Sequence, residues 1–238
     1  MTKAMVILSG GQDSTTCLFW AKAKYEQIYA LTFDYGQRHS AEIEAAKKIA
    51  KLAGVRNHDT VVVDSILRSR SPLTDLHANL ETYENYEQMD KIIGSRVELT
   101  FVPMRNAFFL TLGANIALSY NCYNLVTGVC QQDNANYPDC RQAFIDSQET
   151  TINKALGIEN FRIITPLMEF SKAQSIRVAK NLPGCWEALA YSHTCYAGKV
   201  PPCGACHACT LRAHGFEEAK EIDPLIKRLQ DQKVLTMK

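Results

Sequence analysis

A chain of 238 residues with 46% hydrophobic content is long enough to bury the core of one α/β domain with an appendage. With 26 Lys and Arg against 25 Asp and Glu, the formal net charge of +1 excludes the strongly basic composition of a general nucleic-acid binder, so no direct nucleic-acid partner is expected. The apolar run Ala4 to Leu8 is too short for a signal-peptide core and no transmembrane segment is visible, so a cytoplasmic protein that does not enter a membrane is expected.

In chain order, Met5 to Leu8 reads as a buried strand and Ser14 to Lys24 as a helix with Cys17, Leu18 and Ala21 on one face. Ile28 to Phe33 is a second strand, Ala41 to Ala53 a helix closed by Gly54, and Thr60 to Val63 a third strand. The polar stretch over residues 65–96, poor in β-branched side chains, reads as a surface insertion of loop or irregular helix. Leu99 to Val102 reads as extended, ahead of a helix from about Asn106 to Tyr120. Asn124 to Thr127 is a strand closed by Gly128, Arg141 to Leu156 a helix, Phe161 to Ile164 a strand, and Lys172 to Asn181 a helix. Strands separated by helices of this length predict parallel βαβ units: an α/β fold with one parallel sheet and helices on both faces. After Cys185 the alternation stops. The expected division is therefore an α/β domain over residues 1–184 and a cysteine-rich C-terminal module with one or two helices over residues 185–238.

The first strand-to-helix turn carries the chemistry. In Ser9-Gly10-Gly11-Gln12-Asp13-Ser14-Thr15-Thr16 the paired glycines permit a tight turn and close backbone approach. The N–H groups that open the helix lack intrahelical partners and sit at the positive end of its dipole, which suits anionic oxygens. Hydroxyls of Ser9, Ser14 and Thr15 can add hydrogen bonds, and Asp13 can hold the loop or face Mg²⁺ bridging the phosphates. The bland alternative is a plain turn with Asp13 and Ser14 as the helix cap. Neither a Walker loop nor a dinucleotide fingerprint is present. Ser-Gly-Gly-x-Asp-Ser is similar to the motif of the PP-loop, or N-type, ATP pyrophosphatases. That resemblance implies an adenine nucleotide alpha hydrolase-like fold that cleaves ATP between its α- and β-phosphates and transfers AMP to a substrate oxygen. The segment expected to bind ATP is Leu8, Ser9, Gly10, Gly11, Gln12, Asp13, Ser14, Thr15, Thr16, Cys17 and Leu18.

Nine cysteines are present, an odd number, and four crowd into Cys195, Cys203, Cys206 and Cys209. In a reducing compartment that cluster reads as a metal site, with Cys-x2-Cys spacing and the turn formers Pro201, Pro202 and Gly204. Four thiolates suit a closed, structural Zn²⁺ site. An iron–sulfur cluster, or His193 or His207 in place of one cysteine, stays open.

Several distant segments resemble one branch of the PP-loop enzymes, the 7-cyano-7-deazaguanine synthase family of queuosine biosynthesis. They are Phe33-Asp-Tyr-Gly-Gln-Arg-His39, Phe101-Val-Pro-Met-Arg-Asn106, Thr127-Gly-Val-Cys130, Tyr137-Pro-Asp-Cys-Arg141, Thr165-Pro-Leu-Met168 and Thr194-Cys-Tyr196 with the cysteine triplet. The family pattern has glycine where Met104 stands, and Asp-Phe-Ser-Gly-Tyr-Pro-Asp-Cys where this chain has Asp133-Asn-Ala-Asn-Tyr-Pro-Asp-Cys140. The resemblance implies conversion of 7-carboxy-7-deazaguanine, ATP and ammonia to the 7-cyano product in a homodimer, with Mg²⁺ and Zn²⁺. Most of these segments follow strand ends, where open parallel sheets bind ligands. Expected substrate contacts are Arg105, Asn106, Asp133, Tyr137 and Asp139: a carboxylate to accept from a guanine-like edge, Tyr137 or Phe101 to stack, and Arg105 to pair with an anion. Asp13 and Lys172 are the expected groups at the reacting phosphates. Alternatively Tyr137-Pro138-Asp139 is only a turn in which Asp139 caps the helix at Arg141.

Overall fold

The computed structural model describes residues 1–63, 67–131 and 135–234. Five strands, β1 (Lys3–Ile7), β2 (Gln27–Asp34), β3 (Asn57–Val62), β4 (Asn124–Val126) and β5 (Arg162–Ile164), form one sheet in the order β3-β2-β1-β4-β5, every pair parallel. Side chains alternate across a strand, and here both faces are covered, which is why β1 and β2 read as unbroken apolar runs. Ala4, Val6, Leu8, Ile28 and Ala30 pack to one side with α1 (Gln12–Lys22), α2 (Ala41–Ala53) and α7 (Cys185–Leu189). Met5, Tyr29, Leu31, Phe33, Leu125 and Ile163 pack to the other, with α4 (Arg105–Ser119) and α5 (Gln142–Leu156). Edge strand β3 explains its own mixed sequence, for half of its residues face solvent.

Chain direction along the sheet reverses between β1 and β4: β1 leads outward to β2 and β3, while β4 lies on β1's other side. Such a switch point opens a crevice beyond the carboxyl ends of the two central strands. The turn after β1 is the Ser-Gly-Gly loop and the turn after β4 holds Gly128. A Cβ on Gly128 would lie 2.9 Å from the Ser14 nitrogen, so the absent side chain lets the two turns meet.

Two expectations are corrected. Leu99 to Val102 joins no strand; Phe101 N–H donates to the Glu98 carbonyl at 3.1 Å in a turn. The C-terminal part holds three helices, not one or two: α7, α8 (His207–Ala219) and α9 (Pro224–Asp231). The stretch 67–96 contains one regular helix, α3 (Tyr86–Ile93), capped by Asn85, whose side chain accepts from Gln88 N–H. Met89 and Ile93 are buried with Tyr83 against Leu211 of α8, and Tyr86 stacks on His214 at 3.7 Å. Tyr83 N–H donates to the Ala205 carbonyl at 2.7 Å, inside the cysteine cluster. Arg38 ties the start of the same stretch down through the carbonyls of Asp75, Leu76 and Ala78. Among the described residues no helix is long and apolar enough to cross a membrane.

Candidate active site

The Ser-Gly-Gly loop is fixed largely by its own hydroxyls. Ser9 Oγ accepts from Gly11 N–H, Ser14 Oγ accepts from Ser9 N–H, and the two hydroxyls lie 3.0 Å apart. Gly10 has φ of +90°, and a Cβ there would sit 2.2 Å from the Glu42 carbonyl, so the loop packs directly on the first turn of α2. Gln12 lines the cleft with its side-chain amide buried and, among the described residues, without a hydrogen-bond partner. Thr15 and Thr16 point inward, their hydroxyls donating to the Gly11 and Gln12 carbonyls, and Cys17 and Leu18 belong to the core. Of the expected nucleotide segment, the cleft of about 260 Å³ is therefore lined by Leu8, Ser9, Gly11, Gln12, Asp13 and Ser14.

Lys172 stands opposite, on the first turn of α6 (Lys172–Asn181), where Ser171 and Gln174 form a reciprocal capping box. Its stem passes α8 at Gly215, where a Cβ would lie 2.4 Å from Lys172 Cγ. The ammonium meets Asp13 Oδ2 at 2.7 Å, so the two groups expected at the phosphates are joined 159 residues apart in sequence.

The far wall is built from α4 and the turns around it. Arg105 is surrounded by the hydroxyls of Tyr35, Tyr137 and Tyr196; burial works against its charge, but those groups and Asp139 hold it protonated. It donates to Tyr35 in a long contact of 3.5 Å, and no carboxylate pairs with it among the described residues. A guanidinium in that state is a ready seat for an anion. Asn106, Tyr137 and Cys140 share the wall. Asp139 does not reach it: its carboxylate accepts from Asn106 N–H at 3.3 Å, capping α4 and not the helix at Arg141, and burial pushes its pKa up. Tyr137 is anchored by Thr100 and by the buried Glu98, and the Phe101 ring packs against it tilted, centroids 5.4 Å apart, without lining the cleft. Asp133 lies outside the described residues.

Both positions where this chain departs from the family's glycine are left-handed. Met104 has φ of 65° at the start of α4 and Asn136 has φ of 54°. Asn tolerates that region through its short polar side chain, and here Asn136 Nδ2 donates to the carbonyls of Gly94 and Arg96. Met104 is 69% exposed and stays clear of the cleft.

Residues to which the sequence assigns no role in the cleft also line it: Tyr35, Gln37 and His39 from the turn between β2 and α2, Glu42 from α2, and Tyr196, His207, Ala208 and Leu211 from the cysteine-rich part. Tyr35, Gln37 and His39 lie within the Phe33–His39 segment and Tyr196 within Thr194–Tyr196, though none had been assigned a role; Glu42 lies just beyond the first. His207 was weighed only as a ligand; both its ring nitrogens are buried and unpartnered, and it stacks on Tyr196.

Cys195, Cys203, Cys206 and Cys209 place their sulfurs within 4.8 Å of one another, close enough to hold a metal ion. Cys203 N–H donates to Cys195 Sγ and Cys206 N–H to Cys203 Sγ, as backbone amides do around metal-bound thiolates. Hydrogen bonds from Cys206, then Cys209, push the Cys195 thiol well below its usual pKa. The turn that follows Cys195 carries Tyr196 into the cleft, and just before it His193 N–H donates to the Gly10 carbonyl at 2.8 Å, so the cysteine cluster shapes the wall and its approach is tied to the Ser-Gly-Gly loop.

A parallel sheet with a phosphate-type loop at its switch point, a lysine facing that loop and a four-cysteine cluster beside it define a class: a PP-loop α/β protein with a metal-binding cluster. The model of one family, described as queuosine biosynthesis protein QueC, matches residues 3–220. The chain belongs to that family. It is 46% identical over 228 residues to the 7-cyano-7-deazaguanine synthase of Laribacter hongkongensis, covering 95% of both chains. To that of Gloeobacter violaceus it is 42% identical over 231 residues, covering 95% of this chain and 97% of the relative. A 4-thiouridine synthetase solved with RNA and ATP superposes with a TM-score of 0.46 at 18% identity, over 97% of this chain and 53% of that one.

Proposed function

We propose that the chain makes 7-cyano-7-deazaguanine from 7-carboxy-7-deazaguanine, ATP and ammonia. The observation that carries this reading is the cleft itself, where a phosphate loop with its Lys172–Asp13 pair faces an arginine that lacks a carboxylate partner, in a chain 46% identical to a synthase of that name. A carboxylate is a poor electrophile, anionic and with a poor leaving oxygen; adenylation corrects both defects. The N-terminal amides of α1 and Lys172 offset charge on the departing pyrophosphate, and Asp13 would help hold Mg²⁺, which would supply further positive charge against the phosphates. Arg105 seats the carboxylate, Tyr137 and Tyr196 flank the heterocycle, and Asn106 contributes polar contacts. Asp133 is proposed as the acceptor for its N–H/NH2 edge, with Asp139 acting through α4. Ammonia displaces AMP to give the amide; a second adenylation at the amide oxygen lets that oxygen leave and the nitrile form.

Zn²⁺ is the proposed metal of the cysteine cluster. A tetrahedral site with Zn–S near 2.3 Å needs sulfurs about 3.8 Å apart, and Cys203 and Cys209 lie 3.9 Å apart. Four thiolates leave no open position, so the ion organises structure and takes no part in the reaction. A cytoplasmic homodimer is proposed as the working form. Incubating the purified protein with the carboxylic acid, ATP and ammonium tests the reaction, with products followed by mass spectrometry. A nitrile product is expected; failure to form it under conditions where ATP binds would refute the proposal.

A further inference from the structure

Ammonium has no lone pair and becomes a nucleophile only after losing a proton. For the nitrile, the amide nitrogen must then surrender both of its own. Two imidazoles line the cleft, His39 and His207. Both ring nitrogens of His207 lack a partner, so nothing sets its tautomer. His39 is different. Its Nε2 lies 3.3 Å from Glu42 Oε2, one helical turn on in α2, while its Nδ1 is buried and has no partner among the described residues. Burial pushes the Glu42 carboxyl up while Arg105 pulls it down; in its ionised form Glu42 keeps the hydrogen on Nε2 and the lone pair on Nδ1, the carboxylate–imidazole arrangement that orients a general base. The pair adjoins the phosphate loop, because the Glu42 carbonyl is the group against which Gly10 packs. The rings of Tyr35 and Tyr196 flank His39 at 6.4 and 5.7 Å.

We propose that His39, held by Glu42, is the proton acceptor for nitrogen in both halves of the reaction, an inference that rests on the function proposed above. In the first half His39 Nδ1 takes a proton from the ammonium nitrogen. The freed lone pair forms the C–N bond, the C–O bond breaks with its electron pair leaving on AMP, and the nitrogen releases a second proton to water to leave the neutral amide. In the second half the nitrogen of the adenylated amide gives up its two protons in turn. Its electrons become the additional C–N bonds, and the C–O bond again breaks toward AMP. No oxidant or reductant is needed.

The charged and titratable groups facing His39 are Glu42 from α2, Arg105 from α4, and His193 and Cys195 from the chain leading into the metal cluster. Burial, then Arg105, hold the ring neutral, with a pKa lowered to about 3. A substrate anion seated on Arg105 would offset that repulsion, the smaller of the two effects, and so raise the basicity of His39 while substrate is bound.

The test is His39→Gln in the full-length, metal-loaded protein, with four rates measured. They are acid-dependent pyrophosphate release, amide formation from ammonium, hydroxamate formation from hydroxylamine, and nitrile formation from the amide. Hydroxylamine is unprotonated at neutral pH and needs no base to become a nucleophile. Expected are pyrophosphate release and hydroxamate formation within a fewfold of wild type, and losses of about a hundredfold in the ammonium and amide reactions. Glu42→Gln should show the same pattern more weakly. Ammonium and amide turnover equal to wild type in His39→Gln would overturn the inference alone, and so would an equal loss of all four rates. Should the wild-type protein make no nitrile from the acid, this inference falls together with the proposed function.

Discussion

Met104 is the residue where sequence and backbone disagree most. A side chain longer than Asn or Asp at φ of 65° costs about 1–2 kcal/mol, part of which glycine would return in unfolded-state entropy. Met104→Gly should therefore raise stability by up to about 1 kcal/mol, read as a higher denaturation midpoint, with ATP binding unchanged; a lower midpoint would mean the methionine packs usefully. A second test concerns pH. His39 has a folded pKa of about 3 against an ordinary value near 6.5, so between those values the unfolded chain binds the extra proton and stability falls as pH falls. The limiting slope is about 1.4 kcal/mol per pH unit; the carboxyl of Glu42, which burial pushes up, acts in the opposite sense and softens it. Acid titration of stability should accordingly be flatter in His39→Gln from pH 6.5 downward, and an unchanged slope would place the proton elsewhere. The Ser-Gly-Gly turn and its place between β1 and α1 were legible at this scale because glycines and hydroxyls next to a helix start have few other uses. Glu42 and His207 were not, since a charged residue on a helix looks like a solvated one until its neighbours are known.

Among the elements, α2 and α6 fall where their periodicity and caps put them, and the five strands to within a few residues. Continuous apolar runs flanked by Gly or Asp carry that information locally. Helix α3 does not: Tyr86, Met89 and Ile93 form a narrow stripe in a polar stretch, and their partner, Leu211, comes more than a hundred residues later. Leu99 to Val102 misled for the opposite reason, apolar yet folded as a turn that the buried Glu98 holds through Thr100. If α3 docks on α8 as described, Ile93→Asp should cost about 2 kcal/mol or more, because it buries a charge where a side chain was packed. Hydrogen exchange would locate the effect: faster exchange in α3 and α8 with the sheet protected. Loss of protection across β1 and β2 would instead make α3 part of the central core.

Over the whole molecule, the sheet supplies the phosphate loop and α4, while the cysteine cluster supplies Tyr196 and α8 carries His207 and Leu211 into the same cleft. Removing the metal with a chelator should therefore abolish amide and nitrile formation while far-UV circular dichroism retains most of its α/β signal. Loss of the whole signal would show that the cluster holds up the fold itself. The central claim is that one loop adenylates two successive oxygens, first of the acid and then of its amide. The most direct measurement is pyrophosphate released per nitrile formed from the carboxylic acid. The account predicts two; a ratio of one, or turnover that stops at the amide, would contradict it.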